Sequence, residues 1–111
     1  MDLLRGDIVG INLNPKKGDE VGKVRPCIIL SDSDSNSVLD TIIVVPLSTQ
    51  LLDDMLPFRM RLQKRGKLIK DSDILLNHIR TISKKRVTSY IDKITEDEYS
   101  NTIKNLCGNF K

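Results

Sequence analysis

Apolar residues gather in several short segments of the chain, either at alternate positions or as continuous runs, and both patterns are typical of β-strands. Polar or glycine-containing turns separate these segments, which are residues 8–13, 24–30, 41–47, 56–62, 72–76 and 87–91. Both faces are apolar in residues 41–47, so this segment is predicted to be a central strand covered on two sides. Pro46 near its end predicts an interruption of strand pairing there.

The segment 56–62 alternates most regularly, so its apolar side chains are predicted to face the core and its arginines to face outward. These residues are Phe58, Met60 and Leu62 on the inner side and Arg59 and Arg61 on the outer side. Residues 14–23 are predicted to form a long loop, and loops of this length in compact domains are often functional. Residues 31–37 are predicted to form a second, polar loop.

A helical period is found at the C-terminal end, where Thr95 and Glu98 have the spacing of a capping box. One stripe at helical spacing then carries the apolar residues Tyr99, Ile103, Leu106, Cys107 and Phe110. Short strands followed by one helix predict a mainly β protein with a C-terminal helix (α+β), folded as one domain over residues 1–111. A small, partly open barrel or a strongly bent sheet would bury strands of this length.

The charge balance is 18 basic against 15 acidic residues, a net charge of +3. This excess permits a nucleic-acid partner if the basic residues cluster. Cys27 and Cys107 both have apolar neighbours and are predicted to be packed, reduced thiols rather than a disulfide. No apolar run approaches the length of a membrane span and no signal core follows Met1, so a cytoplasmic protein without a membrane partner is expected.

Motifs for metal binding are weak, so neither a metal nor a cofactor is expected. No Cys or His cluster has zinc spacing. Asp32, Asp34 and Asn36 copy the start of a calcium-binding loop, but Ser37 and Ile43 stand where such a loop needs Gly and Glu. The tripeptide at residues 5–7, Arg-Gly-Asp, is predicted to be a turn leading into the first strand.

Several short motifs together resemble the MazF/PemK toxin family. The N-terminal ones are RGDIV at residues 5–9, LNP at 13–15, GDEVG at 18–22 and RPCII at 25–29. VVPLS at residues 44–48 ends in Ser where the family has Thr or Ser, and IRTI at 79–82 with Lys85 and Arg86 resembles the second basic block of the family. The order and spacing of the motifs, rather than any one of them, carry the resemblance, which runs nearly from end to end.

The resemblance implies an SH3-like barrel of the CcdB–MazF type that forms a homodimer. It also implies the toxin component of a type II toxin–antitoxin system, a sequence-specific endoribonuclease that cleaves single-stranded mRNA without a metal. A cognate antitoxin, with a flexible tail that covers the site, is the implied protein partner.

The chemistry of RNA indicates which side chains matter. RNA carries its own nucleophile, the ribose 2′-hydroxyl, so metal-free cleavage needs a proton acceptor, positive charge at the phosphate and a proton donor for the leaving 5′-oxygen. Arg25 is the first candidate catalytic residue, because a guanidinium presents a fork of donors matched to phosphate oxygens. Ser48, at the Thr/Ser position of the family, is the second, and its hydroxyl could bind the scissile phosphate. For both, the alternative is an ordinary solvated strand residue.

Further residues are candidates for RNA binding: Lys16, Lys17, Glu20, Lys23, Thr49, Asn77, His78, Arg80 and Arg86. Glu20 could instead take part in acid–base chemistry or hold its loop by ion pairs. His78 could accept a proton, since imidazole titrates near neutral pH, although the family often has Gln there. Thr49 could substitute for Ser48.

The sequence also departs from part of the family, in which an Arg and an acidic residue precede the IRTI motif. Leu75 and Asn77 stand at those places here. Two alternatives therefore remain open. One is a barrel that binds nucleic acid or protein without cleaving it. The other is a CcdB-like gyrase poison, for which an aromatic residue near the chain end, such as Phe110, would be needed.

Overall fold

The computed structural model describes residues 2–13 and 24–111, and these ranges hold seven β-strands and two α-helices. The strands are β1 (Asp7–Asn12), β2 (Val24–Ile29), β3 (Thr41–Ser48), β4 (Arg59–Leu62), β5 (Ser72–Leu75), β6 (Arg80–Ser83) and β7 (Val87–Lys93). The helices are α1 (Ser33–Val38) and α2 (Glu96–Gly108), and 3₁₀ turns lie at Leu76–His78 and Lys84–Arg86. Each predicted strand is present, and β6 is an additional one because the 3₁₀ turn after β5 breaks the chain direction.

The strands form one antiparallel sheet in the order β4-β5-β3-β2-β1-β7, with β6 also paired to β3. Strand β3 is central, as predicted, and along one edge it pairs first with β6 at Thr41–Val44 and then with β5 at Leu47–Ser48. The predicted interruption near Pro46 lies at this change of partner, whereas the edge facing β2 stays paired at Pro46. No pairing between the described strands closes the sheet, which is a bent and open version of the predicted barrel.

Both faces of the sheet are covered by apolar clusters. On one face Ile28, Val45, Leu47 and Ile74 pack with Leu106 of α2. On the other face a second cluster contains Val9, Ile11, Cys27, Ile29, Val44 and Ile82. Successive residues of β2 and β3 alternate between these clusters, which is why residues 41–47 are apolar on both sides.

Helix α2 begins as predicted, with the Thr95 side chain and Glu98 forming a complete capping box. Leu106 is buried, and Tyr99 and Ile103 pack against the core. The prediction that Cys107 and Phe110 belong to the same buried stripe is wrong, because both are exposed. Consecutive helical residues point about 100° apart, so turning Leu106 to the core directs Cys107 away, and Phe110 lies beyond the end of the helix.

Two other predictions need correction. The predicted polar loop at residues 31–37 contains helix α1, because the Asp32 carboxylate caps it by accepting bonds from the amides of Asp34 and Ser35. Phe58, predicted to face inward, is exposed, because β4 begins only at Arg59 and residues before it form a turn.

The tripeptide at residues 5–7 forms the predicted turn, and Gly6 has the positive φ of +89° that favours glycine there. No helix in the described ranges is both long and apolar enough to cross a membrane.

Candidate functional site

A row of polar side chains crosses four strands of the sheet. The β2–β3 register, extended by two residues beyond its last pair, places Arg25 opposite Ser48. Ser48 pairs with Asp73 of β5, and Asp73 pairs with Arg61 of β4. Directly opposite residues project from the same face of a sheet, so these four residues form one cross-strand row. Their row lies on the side of the sheet opposite Leu47 and Ile74, which belong to the α2-covered core.

A cleft of about 460 Å³ lies on one side of Arg25. We name it the arginine cleft, and it is lined by Leu13, Arg25, Pro46, Leu75, Asn77, His78 and Arg80. The 3₁₀ turn after β5 carries Asn77 and His78 out of the sheet, and both are exposed. Four separate segments of the chain thus meet at one cleft, and the last of them, residues 75–80, lies where β3 changes partner.

A second cleft, of about 350 Å³, also borders Arg25. We name it the serine cleft, and it is lined by Val24, Arg25, Pro26, Leu47, Ser48, Thr49 and Gln50. Ser48 is partly buried and Thr49 is exposed. Arg25 lines both clefts, so the two clefts adjoin at this residue.

The Ser48 hydroxyl has a defined role as an acceptor in this structure. The backbone N–H of Gln50 donates to the Ser48 Oγ at 3.2 Å. Because an accepted bond leaves the hydroxyl proton available, Ser48 can still donate to a phosphate oxygen in the serine cleft.

Positive charge is distributed unevenly among the seven arginines of the chain. Four of them are in ion pairs with carboxylates: Arg5, Arg59, Arg61 and Arg65. Arg86 donates to the Leu13 carbonyl at 3.3 Å. Neither Arg25 nor Arg80 pairs with a carboxylate of residues 2–13 or 24–111, and both line the arginine cleft.

The Cys27 thiol is influenced by the same two charges. Cys27 is fully buried, and burial raises the pKa of its thiol to about 12, although the charges of Arg80 and Arg25 act in the opposite direction. The prediction that Cys27 is a packed thiol is confirmed, and so high a pKa leaves it un-ionised near neutral pH.

The structure brings together six of the residues singled out from the sequence: Arg25, Ser48, Thr49, Asn77, His78 and Arg80. Arg86 does not line either cleft but binds the backbone of Leu13, which does. The candidates Lys16, Lys17, Glu20 and Lys23 lie outside the described residues. Leu75 and Asn77, the departures from part of the family, both border the arginine cleft.

Sequence reasoning missed Gln50 and Asp73. Asp73 is 1% exposed and sits in a strand whose other residues are also buried. The available signal was an acidic residue within a predicted strand, following a strand that carries Arg59 and Arg61 two residues apart. A buried charge needs a partner of opposite sign. Gln50 gave no signal in its residue type or spacing.

The clefts are chemically suited to a phosphodiester. Two guanidiniums that have no carboxylate partner within residues 2–13 and 24–111 can hold anionic oxygens through forked hydrogen bonds, and the serine hydroxyl adds a neutral donor beside them. The fold and the site thus define a small, open antiparallel sheet protein with a cleft lined by two arginines beside its central strand.

Comparison with known proteins identifies the family. The model of PemK-like, MazF-like toxins of type II toxin–antitoxin systems matches residues 4–110, and the chain belongs to that family. Endoribonuclease MazF of Staphylococcus epidermidis is 35% identical over 95 residues, which are 85% of this chain and 79% of that protein. The resemblance inferred from the sequence motifs is thereby confirmed.

Solved structures confirm the fold. MazE–MazF (Form-II) of Deinococcus radiodurans superposes with a TM-score of 0.81 at 20% identity, covering 99% of this chain and 96% of that one. The Mycobacterium tuberculosis toxin MazF-mt6 superposes with a TM-score of 0.78 at 17% identity, covering 94% and 95%. The predicted fold class, mainly β with a C-terminal helix of the CcdB–MazF type, is correct.

Proposed function

We propose that this family member is an endoribonuclease toxin that cleaves single-stranded mRNA at specific sequences through the 2′-hydroxyl of its substrate. The observation that carries the proposal is the pair Arg25 and Arg80, unpaired with described carboxylates and lining one cleft beside Ser48. The Staphylococcus epidermidis relative, which is named an endoribonuclease, supports it further.

The reaction needs no group beyond those of protein, RNA and solvent. The ribose 2′-oxygen forms a bond to phosphorus as the bond from phosphorus to the 5′-oxygen breaks, which gives a 2′,3′-cyclic phosphate and a 5′-hydroxyl. The 2′-hydroxyl loses a proton to a base and the 5′-oxygen gains one from an acid. Arg25 and Arg80 stabilise the charge that develops on the equatorial oxygens, and the Ser48 hydroxyl donates a hydrogen bond to one of these oxygens.

Arg25 is the residue to which we assign the larger catalytic effect, because it borders both clefts and faces Ser48 across the strands. Asn77 and His78 also line the arginine cleft, where they would hold the RNA chain that enters or leaves the reaction centre. Contacts to phosphate oxygens position RNA without reading its sequence.

We also propose a cognate antitoxin as the protein partner, a homodimer as the functional unit and the cytoplasm as the location. A mycobacterial endoribonuclease has been solved in complex with its cognate antitoxin, and the Deinococcus radiodurans structure is a MazE–MazF complex. An acidic antitoxin segment lying in the arginine cleft would compete with RNA for Arg25 and Arg80.

The test is incubation of the purified protein with a long single-stranded RNA in buffer containing EDTA. We expect defined fragments with 2′,3′-cyclic phosphate and 5′-hydroxyl ends. Arg25→Ala should lower kcat about 10³-fold and Ser48→Ala about 10²-fold, the range for removing one donor to a developing oxyanion. Intact RNA with the wild type, or equal cleavage by wild type and Arg25→Ala, would contradict the proposal.

A gyrase poison is the second candidate, and the observation in its favour is that Phe110, near the chain end, is 73% exposed. Family membership places the chain with the PemK-like and MazF-like toxins. A supercoiling assay with DNA gyrase distinguishes the two, and we expect no inhibition at protein concentrations that cleave RNA completely.

A further inference from the structure

The cross-strand row that begins with Arg25 and Ser48 continues into an ion cluster around one buried carboxylate, that of Asp73. We name it the Asp73 cluster, and it consists of Asp73, Arg59, Arg61 and Asp53. The Asp73 carboxylate is 1% exposed and accepts from Arg61 Nε at 2.6 Å and from Arg59 Nη1 at 3.1 Å. Arg61 Nη2 donates to Asp53 Oδ1 at 2.8 Å. The charges of two strands and of the segment after β3 are thus joined in one group.

The Asp73 cluster holds the backbone that follows Ser48. The Leu52 N–H donates to Asp73 Oδ2 at 2.8 Å, and Arg59 Nη1 donates to the Gln50 carbonyl at 2.8 Å. Arg59 and Asp73, which form an ion pair, therefore hold the backbone at Gln50 and at Leu52, two residues apart. No strand or helix hydrogen bonds serve this purpose, because residues 49–58 lie between β3 and β4.

The fixed segment in turn orients Ser48. The Gln50 carbonyl is bound by Arg59, and the Gln50 N–H is the donor to Ser48 Oγ. Ser48 is also the direct cross-strand neighbour of Asp73. Two short paths, one through Gln50 and one across the strand pair, thus connect the cluster to a side chain of the serine cleft.

From this arrangement we infer that Asp73 and Arg59 are positioning residues for the cleavage reaction, which orient the Ser48 hydroxyl toward the scissile phosphate through the Gln50 backbone and the strand pair. The inference rests on the proposed function. Neither residue lines the serine or the arginine cleft. They act on the rate only through the geometry of Ser48.

The ionised form of Asp73 is required for this role. Burial alone would raise the pKa of the carboxyl group, but the bonds from the Leu52 amide, Arg61 and Arg59 outweigh it and leave the pKa below its ordinary value of 3.8. Asp73 is therefore charged at the near-neutral pH of an RNA cleavage assay, and its bonds to both arginines persist there.

A double-mutant cycle tests the inference. Arg59→Gln removes the bond to Gln50 while Asp73 keeps Arg61, and Asp73→Asn removes the charge itself. The rate constant for single-turnover cleavage of one RNA by excess enzyme should fall about tenfold for Arg59→Gln and about 10²-fold for Asp73→Asn, because small displacements in a reaction geometry lower the rate. The KM should change less than about twofold. In a Ser48→Ala background, each of the same two changes should lower the cleavage rate constant less than about threefold.

Arg65→Gln is the matched control. Arg65 pairs with Glu98 of α2, and its side chain is 21% exposed, against 20% for Arg59. It belongs to the same hairpin region but has no bond to the segment after Ser48. We expect a comparable loss of thermal stability with kcat within about twofold of the wild type.

Equal fold-losses in the wild-type and Ser48→Ala backgrounds would overturn the inference, as would full activity of Arg59→Gln. If Asp73→Asn fails to fold, the milder Arg59→Gln cycle decides alone. A wild type that leaves RNA intact refutes the proposed function and the inference with it. If the wild type cleaves RNA but the effects of the Ser48 and cluster substitutions are additive, only the inference is refuted.

Discussion

At the scale of single residues, Arg25 differs from most arginines of this chain in its surroundings. Four others are paired with carboxylates, and those pairs stabilise strands, the segment after β3 and helix α2. Arg25 lies at the outer end of β2, between two clefts, with Arg80 across one of them. Two guanidiniums facing one space without a described carboxylate is an unfavourable arrangement unless an anion occupies that space.

His78 is expected to contact RNA rather than to accept the 2′-hydroxyl proton. Its side chain is exposed, and no described residue forms a hydrogen bond that would orient the ring, as a general base requires. His78→Gln, which keeps a polar side chain of similar reach, should change kcat less than about threefold at pH 7.5. A loss of about 10²-fold together with the disappearance of the acidic limb of the pH–rate profile would make His78 the base.

The two thiols should differ sharply in reactivity. Burial raises the pKa of Cys27 to about 12, whereas Cys107 is exposed on α2. A chromogenic disulfide reagent at pH 8 should therefore titrate one thiol per native chain, at Cys107, and two in denaturant. Cys107→Ser should abolish the native signal. Rapid reaction of two thiols in the native protein would mean that Cys27 is accessible.

At the scale of elements, the site depends on how strand β3 changes partner. Pairing with β6 ends at Val44 and pairing with β5 begins at Leu47. The turn Leu76–His78 between β5 and β6 fills the gap and carries Asn77 and His78 to the cleft. Asp73, on the first residues of β5, then ties this junction to β4 and to the segment after Ser48.

The stability conferred by Asp73 should depend on pH in one direction. Its pKa is lowered in the folded protein, so its contribution is fully present above its ordinary pKa of 3.8 and is lost as the pH falls through the folded value. Asp73→Asn should lower the free energy of unfolding by about 3 kcal/mol at pH 7. Urea unfolding should show that this difference is constant from pH 7 to about 5 and shrinks below pH 4. A difference that grew on acidification would contradict the assigned charge state.

At the scale of the whole molecule, the fold could be predicted well from the sequence because its signals are local. Short apolar segments, alternating or continuous, predicted β1, β2, β3, β4, β5 and β7, and the capping box predicted the start of α2. Helix α1 was missed because a run of Ser, Asp and Asn is typical of loops, whereas Asp32 uses that composition to cap a short helix. Phe58 was misplaced because alternation does not indicate where a strand begins.

The site could be predicted only in part, for a different physical reason. Arg25, Ser48 and the block at residues 77–80 were found through family motifs, and the structure places them around adjoining clefts. Asp73 and Gln50 were not found, because their importance comes from pairing across strands that are distant in sequence. Register is a property of the folded sheet, so no single segment contains it.

In the proposed reaction the 2′-hydroxyl of the substrate is the nucleophile, in a cleft that holds phosphate with arginines. The most direct measurement compares an RNA containing the mapped cleavage site with the same RNA carrying one 2′-deoxy nucleotide on the 5′ side of the scissile phosphate. We predict that the substituted RNA binds within about threefold of the original affinity, because phosphate contacts dominate binding, yet is not cleaved at that site. Cleavage of the substituted RNA at the unmodified rate would show that the 2′-hydroxyl is not the nucleophile.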